Sequence, residues 1–150
     1  MNVYISSSWK NRDRVRAFAT ALRAAGITPY DFTDPATRKT QEIPPERFPD
    51  QFDPAKHRYS EYIRSVPEWR AAVEANREAL HTCNAVALLI PCGNDGHADA
   101  FYALGLGKRL IVVGQEREGG RTPTHLWANA IVDTDGEAIA WCAGVAREDY

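Results

Sequence analysis

The chain has 150 residues, with 18 Lys and Arg against 20 Asp and Glu, a formal net charge of −2. Its 44% hydrophobic and 25% charged residues suit one globular domain with a core of its own, which excludes a disordered tail and leaves little room for a second domain. The near-neutral balance argues against a dedicated nucleic-acid-coating protein, which needs surplus cations to neutralise phosphates, and no stretch reaches the ~20 apolar residues of a membrane helix.

The chain opens on Val3-Tyr4-Ile5, a β-branched and aromatic run that predicts a strand and stops at Ser6-Ser7-Ser8. Val15, Phe18, Ala19 and Leu22 then recur at helical spacing, with Asn11 as the expected N-cap and Gly26 as the C-terminal stop. Residues 27–32 read as a second strand, and strand, helix, strand within about thirty residues is the βαβ pattern of a parallel sheet. Residues 33–56 hold five prolines and show no period, as expected of a functional lid or a disordered excursion. Helical pattern returns near Tyr59. Ser65-Val66-Pro67-Glu68 has the spacing of a capping box, ahead of a face traced by Trp69, Ala72, Val73, Asn76 and Leu80. Residues 85–90 are continuously apolar, as a strand buried on both faces must be. A turn at Pro91-Cys92-Gly93-Asn94-Asp95-Gly96 leads to a helix over 97–106, a buried strand over 110–113, a loop at Gly119-Gly120, a short strand over 130–132 and a last helix over 137–145. The order predicts an α/β fold: a small doubly wound, mainly parallel five-stranded sheet, flavodoxin-like or Rossmann-like, with helices on both faces. The whole chain reads as a single domain with a Pro-rich insert at about 33–58.

Ligands of such sheets bind beyond the carboxyl ends of the strands. Three predicted strand ends carry polar chemistry: Ser6-Ser7-Ser8-Trp9, Asp31-Phe32, and Cys92 to Asp99. The serines suit phosphate or sugar oxygens at a helix N-terminus, and equally suit turns and caps. Gly93 and Gly96 flank a polar tip and let backbone approach a ligand, but neither a Gly-x-Gly-x-x-Gly fingerprint nor a Walker ending is present. Asp99 reads either as a helix-dipole partner or as a cleft carboxylate acting as nucleophile or base. His57, Tyr59 and Tyr62 suit a lid or plain packing, and His125, Trp127 and Asn129 alternate as residues on one face of a strand would. Cys92 stands at the mouth of this edge, with no neighbour in sequence that clearly activates it. Cys83, Cys92 and Cys142 form no Cys-x-x-Cys pair, and the N-terminus has no signal-peptide pattern, so the expectation is a reducing cytoplasm without disulfides. No grouping has metal-ligand spacing, and neither a metal nor a cofactor is expected.

The stretch Cys92-Gly93-x-x-x-His97-x-Asp99-x-x-x-Ala103-x-Gly105-x-Gly107-Lys108, set between two apolar runs, resembles the signature helix of the nucleoside 2-deoxyribosyltransferase-like superfamily. Val3 to Trp9 resembles that family's first strand and substrate loop, and Asn129-Ala130-Ile131-Val132 its late strand. The likeness covers roughly residues 2–33 and 80–133 and extends to Toll/interleukin-receptor-type domains, which share the architecture. It implies cleavage or transfer at the N-glycosidic bond of a (deoxy)nucleoside or nucleotide, through a helix-borne carboxylate and a glycosyl-enzyme intermediate. Carried over by position, Asp99 is the nucleophile; Tyr4 or Ser6, Ser7 and Ser8 bind sugar or phosphate; Asp95 and His97 hold ribose hydroxyls; Asn129 faces the ligand; and Trp9 or Phe32 stacks on the base. Asp31, Gly93 and Gly96 complete the expected site. Homo-oligomerisation is implied in the same way. Three departures stand out: Asp99 replaces the family's Glu, shortening the arm by about 1.5 Å; Phe101 replaces a Gly; and Asn76 and Arg77 stand where an acidic residue is common.

Two other readings compete. One is a non-catalytic nucleotide-binding or signalling module of the Toll/interleukin-receptor type, which the Asp favours. The other is an NAD-cleaving relative. Arg12 and Arg14 favour a phosphorylated substrate in the catalytic reading, because guanidinium matches phosphate geometry.

Overall fold

The structure is a computed structural model that describes residues 1–38, 52–56, 58–114 and 122–148. The centre of the Pro-rich insert, His57 and the Gly119-Gly120 loop lie outside the described residues. Five parallel strands form one sheet in the order β2-β1-β3-β4-β5: β1 Asn2–Ser6, β2 Thr28–Tyr30, β3 Ala85–Leu89, β4 Arg109–Val113 and β5 Ala130–Val132. This is the doubly wound flavodoxin-like order. Among the described residues six α-helices accompany it: α1 Arg12–Ala24, α2 Pro35–Arg38, α3 Tyr59–Arg64, α4 Pro67–Thr82, α5 Asn94–Gly105 and α6 Asp135–Glu148.

Each central strand serves two cores because successive side chains point to opposite faces. Val3, Ile5, Ala87, Leu89, Ile111 and Val113 pack with the α1 stripe of Val15, Phe18, Ala19 and Leu22 and with Ala138 and Cys142 of α6. Tyr4, Val86, Leu88, Leu110 and Val112 pack on the other face with Leu80 of α4 and Ala100 and Ala103 of α5. All five residues of β3 are buried, which is why its sequence shows no alternation.

Local differences from expectation have local causes. β2 covers only Thr28–Tyr30. It is an edge strand, and Pro29 cannot donate to a ladder. Asn11 stands at the N-cap of α1 without capping it; its amide donates instead to Pro91 O at 2.7 Å and Ser7 Oγ at 3.2 Å. The capping box at Ser65 does not form, because Val66 is the N-cap of α4 and Ser65 Oγ turns back to Tyr62 O. The inward stripe of α4 runs through buried Trp69 and Leu80 and half-buried Ala72 and Asn76, and Val73, about 100° further round than Ala72, is 65% exposed. Residues 123–127 form a 3-10 turn rather than a strand, since Pro123 starts it and Thr122 caps it. Gly26 ends α1 as expected, with φ +76° and the Ile27 N–H reaching back to Leu22 O.

Candidate active site

β1 and β3 are neighbours at the point where the helices switch faces of the sheet, so their carboxyl ends frame the crevice where such folds bind ligands. On the α4–α5 side of this edge Tyr4 Oη donates to Asp99 Oδ2 at 2.7 Å. Tyr4 reaches it because its position in β1 aims it into the α5 face, and Asp99 is in the second turn of α5. The Tyr4 ring stacks on Tyr30 with centroids 5.1 Å apart and planes at 10°. Their partnership in the β1–β2 register sets this geometry. Tyr30 Oη in turn donates to Asn76 Oδ1 at 3.0 Å.

The electrostatics follow from burial. The carboxyl of Asp99 sits above its ordinary pKa, first because it is partly withdrawn from water; the Tyr4 hydrogen bond works against this, and the charge of Asp95 adds to it. Asp95, one helical turn earlier, is exposed. Tyr4 is pushed well above the usual phenol range by burial, then by the neighbouring carboxylate, so it remains the donor. The outcome is a poorly hydrated carboxylate with one oxygen held by a fixed hydroxyl.

The other expected residues divide into groups. Ser6 and Ser7 are at the crevice, but Ser6 Oγ donates to Gly96 O at 2.7 Å and Ser7 Oγ to Leu89 O at 2.9 Å. They join the end of β1 to the first turn of α5 and to the last residue of β3. Ser8 caps the 3-10 turn Trp9–Asn11. Asp31 is buried and its Oδ1 accepts from Thr33 N at 2.8 Å and Thr33 Oγ1 at 2.7 Å, which closes a turn. Trp9 and Phe32 pack together at 6.0 Å, and Phe32 rests on the core of the α1 face, across the sheet from Asp99. Gly93 is the N-cap of α5. Gly96 is a close approach, for a Cβ there would stand 3.2 Å from Cys92 Sγ and 3.4 Å from the Ser7 carbonyl carbon.

His97 is two residues from Asp99, hence about 200° around the helix; it faces Cys92 and His125 instead. Asn129 precedes β5 at the amino edge of the sheet, where its Oδ1 accepts from Leu110 N at 2.8 Å and where it lines a hollow with Arg109 and Trp141. The structure therefore does not bring Asn129 to the crevice. Arg14 donates to Ile90 O and to Asp135, each at 2.6 Å, which commits it to the fold rather than to a phosphate.

Two further residues, Tyr30 against the Tyr4 ring and Trp69 in α4, were not singled out from sequence as functional. Tyr30 depends on strand register, which is invisible in a single sequence. Trp69, only 7% exposed, has an indole N–H with no hydrogen-bond partner among the described residues; it packs edge-on against Tyr62 at 5.6 Å, and Tyr62 against Phe52 at 5.4 Å. Among the described residues no group of three or more His, Cys, Asp or Glu side chains is arranged to hold a metal ion, and no helix is long and apolar enough to cross a membrane.

No protein-family model matches the chain, and no curated protein matches it. Among solved structures it is similar to the Clostridium botulinum CMP N-glycosidase BcmB, with a TM-score of 0.53 and 14% identity over 95% of this chain and 98% of that one. At that identity the likeness is one of fold, and it extends over nearly the full length of both chains.

Proposed function

We propose that this protein cleaves the N-glycosidic bond of a (deoxy)nucleoside or nucleotide, with Asp99 as the nucleophile. The observation that carries the reading is the 2.7 Å hydrogen bond from the buried Tyr4 hydroxyl to a partly desolvated Asp99 carboxylate below the sheet's ligand-binding edge. The fold shared with a CMP N-glycosidase supports a nucleotide as substrate. With Oδ2 held by Tyr4, Oδ1 is the oxygen that attacks C1′. The bond from C1′ to the base nitrogen breaks as the new C–O bond forms, and its electron pair leaves with the base. Water, or a second base, then attacks C1′, the C–O bond to Asp99 breaks with its electron pair returning to the carboxylate, and the proton shed by the attacking group ends on the departed base. A carboxylate short of water is a stronger nucleophile than a hydrated one, and the Tyr4 donor limits the desolvation that would otherwise protonate it.

Chromatographic release of free base from deoxynucleosides, ribonucleosides, their monophosphates and NAD tests this, with Asp99→Asn run beside the wild type. The expected result is release from one class of substrate that falls by at least about a thousandfold in the variant. Equal release by both proteins would remove Asp99 from the mechanism. No release by folded wild type, together with a ligand-induced rise in Tm, would replace the enzyme with a nucleotide-binding module.

A further inference from the structure

The flank of α5 that faces away from Asp99 carries a second constellation. Cys92 Sγ is 3.2 Å from His97 Nδ1, and His97 Nε2 is 3.0 Å from His125 Nε2. The two imidazole planes differ by 1°, and nitrogens 3.0 Å apart with centroids at 5.2 Å mean that the rings meet edge to edge. Gly93 O also lies 3.2 Å from His97 Nδ1. Phe101 lies beside the His97 ring, with centroids 6.4 Å apart, and is itself met edge-on by Trp127 at 5.9 Å. Gly96 makes room for the sulfur, since a Cβ there would sit 3.2 Å from it.

We propose that Cys92, His97 and His125 form a reactive-thiol site that exchanges with small-molecule disulfides. Cys92 and His125 address opposite nitrogens of one ring, so no single metal ion can take all three as ligands. The arrangement is instead that of a nucleophile, its base and a third group that orients the base. The hydrogen bonds accommodate charge separation. A carbonyl oxygen cannot donate, so Gly93 O is satisfied at Nδ1 only when that nitrogen carries a proton. The contact between the rings needs one proton, which the Nε2–H of either ring can supply; the form that serves the proposal has His97 Nε2–H donating to the lone pair of His125. Moving the thiol proton to Nδ1 therefore gives an imidazolium with an acceptor at each nitrogen and a thiolate beside it. Cys92 also precedes the N-terminus of α5, where a negative sulfur is favoured.

The exchange balances without a further reagent. The Cys92 thiolate attacks one sulfur of the disulfide, the S–S bond breaks, a mixed disulfide forms on Cys92, and the departing thiolate takes the proton from His97. His125 acts through His97 and is a positioning residue. Cys83 and Cys142 are buried, and burial pushes both thiols up, Cys142 to about 12, so they serve as silent internal references.

The test uses 5,5′-dithiobis(2-nitrobenzoic acid) on the full chain at pH 7, with thiolate absorbance at 240 nm read as the difference from Cys92→Ser. One fast thiol per chain is expected, lost in Cys92→Ser. His97→Gln should slow it at least about tenfold and abolish the 240 nm difference, and His125→Gln should slow it about threefold and reduce that difference. Oxidised glutathione should leave one adduct, mapped to Cys92 by mass spectrometry. A wild type with no 240 nm difference overturns the proposal, as does equal labelling of wild type and His125→Gln. The latter comparison still stands if His97→Gln does not fold.

Discussion

Asp99 is held by three influences of different sign, and two of them, the Tyr4 hydroxyl and the Asp95 charge, can each be removed alone. Burial and the charge of Asp95 raise its pKa, and the Tyr4 hydroxyl lowers it. Tyr4→Phe deletes the hydroxyl that donates to this carboxylate, so the carboxyl pKa rises further; the acid limb of base release moves to higher pH and the rate falls by about ten- to a hundredfold. Asp95→Asn removes a like charge, so the same limb moves to lower pH with little change in the plateau. The pH profiles of the two variants check both, and limbs that stay fixed would mean that another group titrates. Tyr4 and Asp99 are both legible in the sequence as chemistry-bearing residues. Their contact is not, because 95 positions separate them and strand register decides it. Ser6 and Ser7 show the opposite case: the sequence marks them as donors, and only the fold shows that their acceptors are main-chain carbonyls. His125 is 28 residues from His97 and meets it only because the 3-10 turn Pro123–Trp127 lies against α5.

Elements were legible where a run of side chains meets one environment. The α1 stripe, the wholly buried β3 and the buried 110–113 run of β4 appear in the sequence because a helix on a sheet, and a strand between two cores, each impose a simple pattern. The pattern fails where ends and edges decide, as at β2 with its Pro29 and at the first turn of α5, which begins at Asn94 rather than 97. Helix ends also separate glycines that look alike in sequence. Gly105 is the last residue of α5, exposed, with nothing within 4 Å of a would-be Cβ. Gly107, two residues on, has φ +78° and closes the helix, with the Lys108 N–H reaching Ala103 O at 3.0 Å. Gly105→Ala should gain up to about 0.5–1 kcal/mol by reducing the freedom of the unfolded chain. Gly107→Ala should lose about 1–2 kcal/mol, because an L side chain strains the left-handed conformation. Urea unfolding of the two variants checks the sign of each, and a loss at Gly105 would mean that α5 does not end at Gly105 with open space around it.

At the scale of the whole molecule, the doubly wound sheet places a carboxylate where it costs the fold stability, and that cost separates a functional Asp99 from a structural one. In the unfolded chain Asp99 titrates near its ordinary value of 3.8, and in the folded chain above it. Between those two values the folded state holds a proton that the unfolded state has lost. The stability contributed by this group is thus present below about pH 3.8 and is lost as pH rises through the folded pKa, with a slope no steeper than about 1.4 kcal/mol per pH unit. Asn at this position keeps an oxygen for Tyr4 Oη and carries no charge. Asp99→Asn should therefore gain stability relative to wild type as pH rises from about 4 to 7, while base release collapses. Denaturant unfolding of both proteins across that range reads the difference directly. A carboxylate retained for the fold would give the reverse, a variant that loses stability as the pH approaches neutrality, and Tyr4 and Asp99 would then be a buried structural pair in a protein whose chemistry lies elsewhere on the same edge.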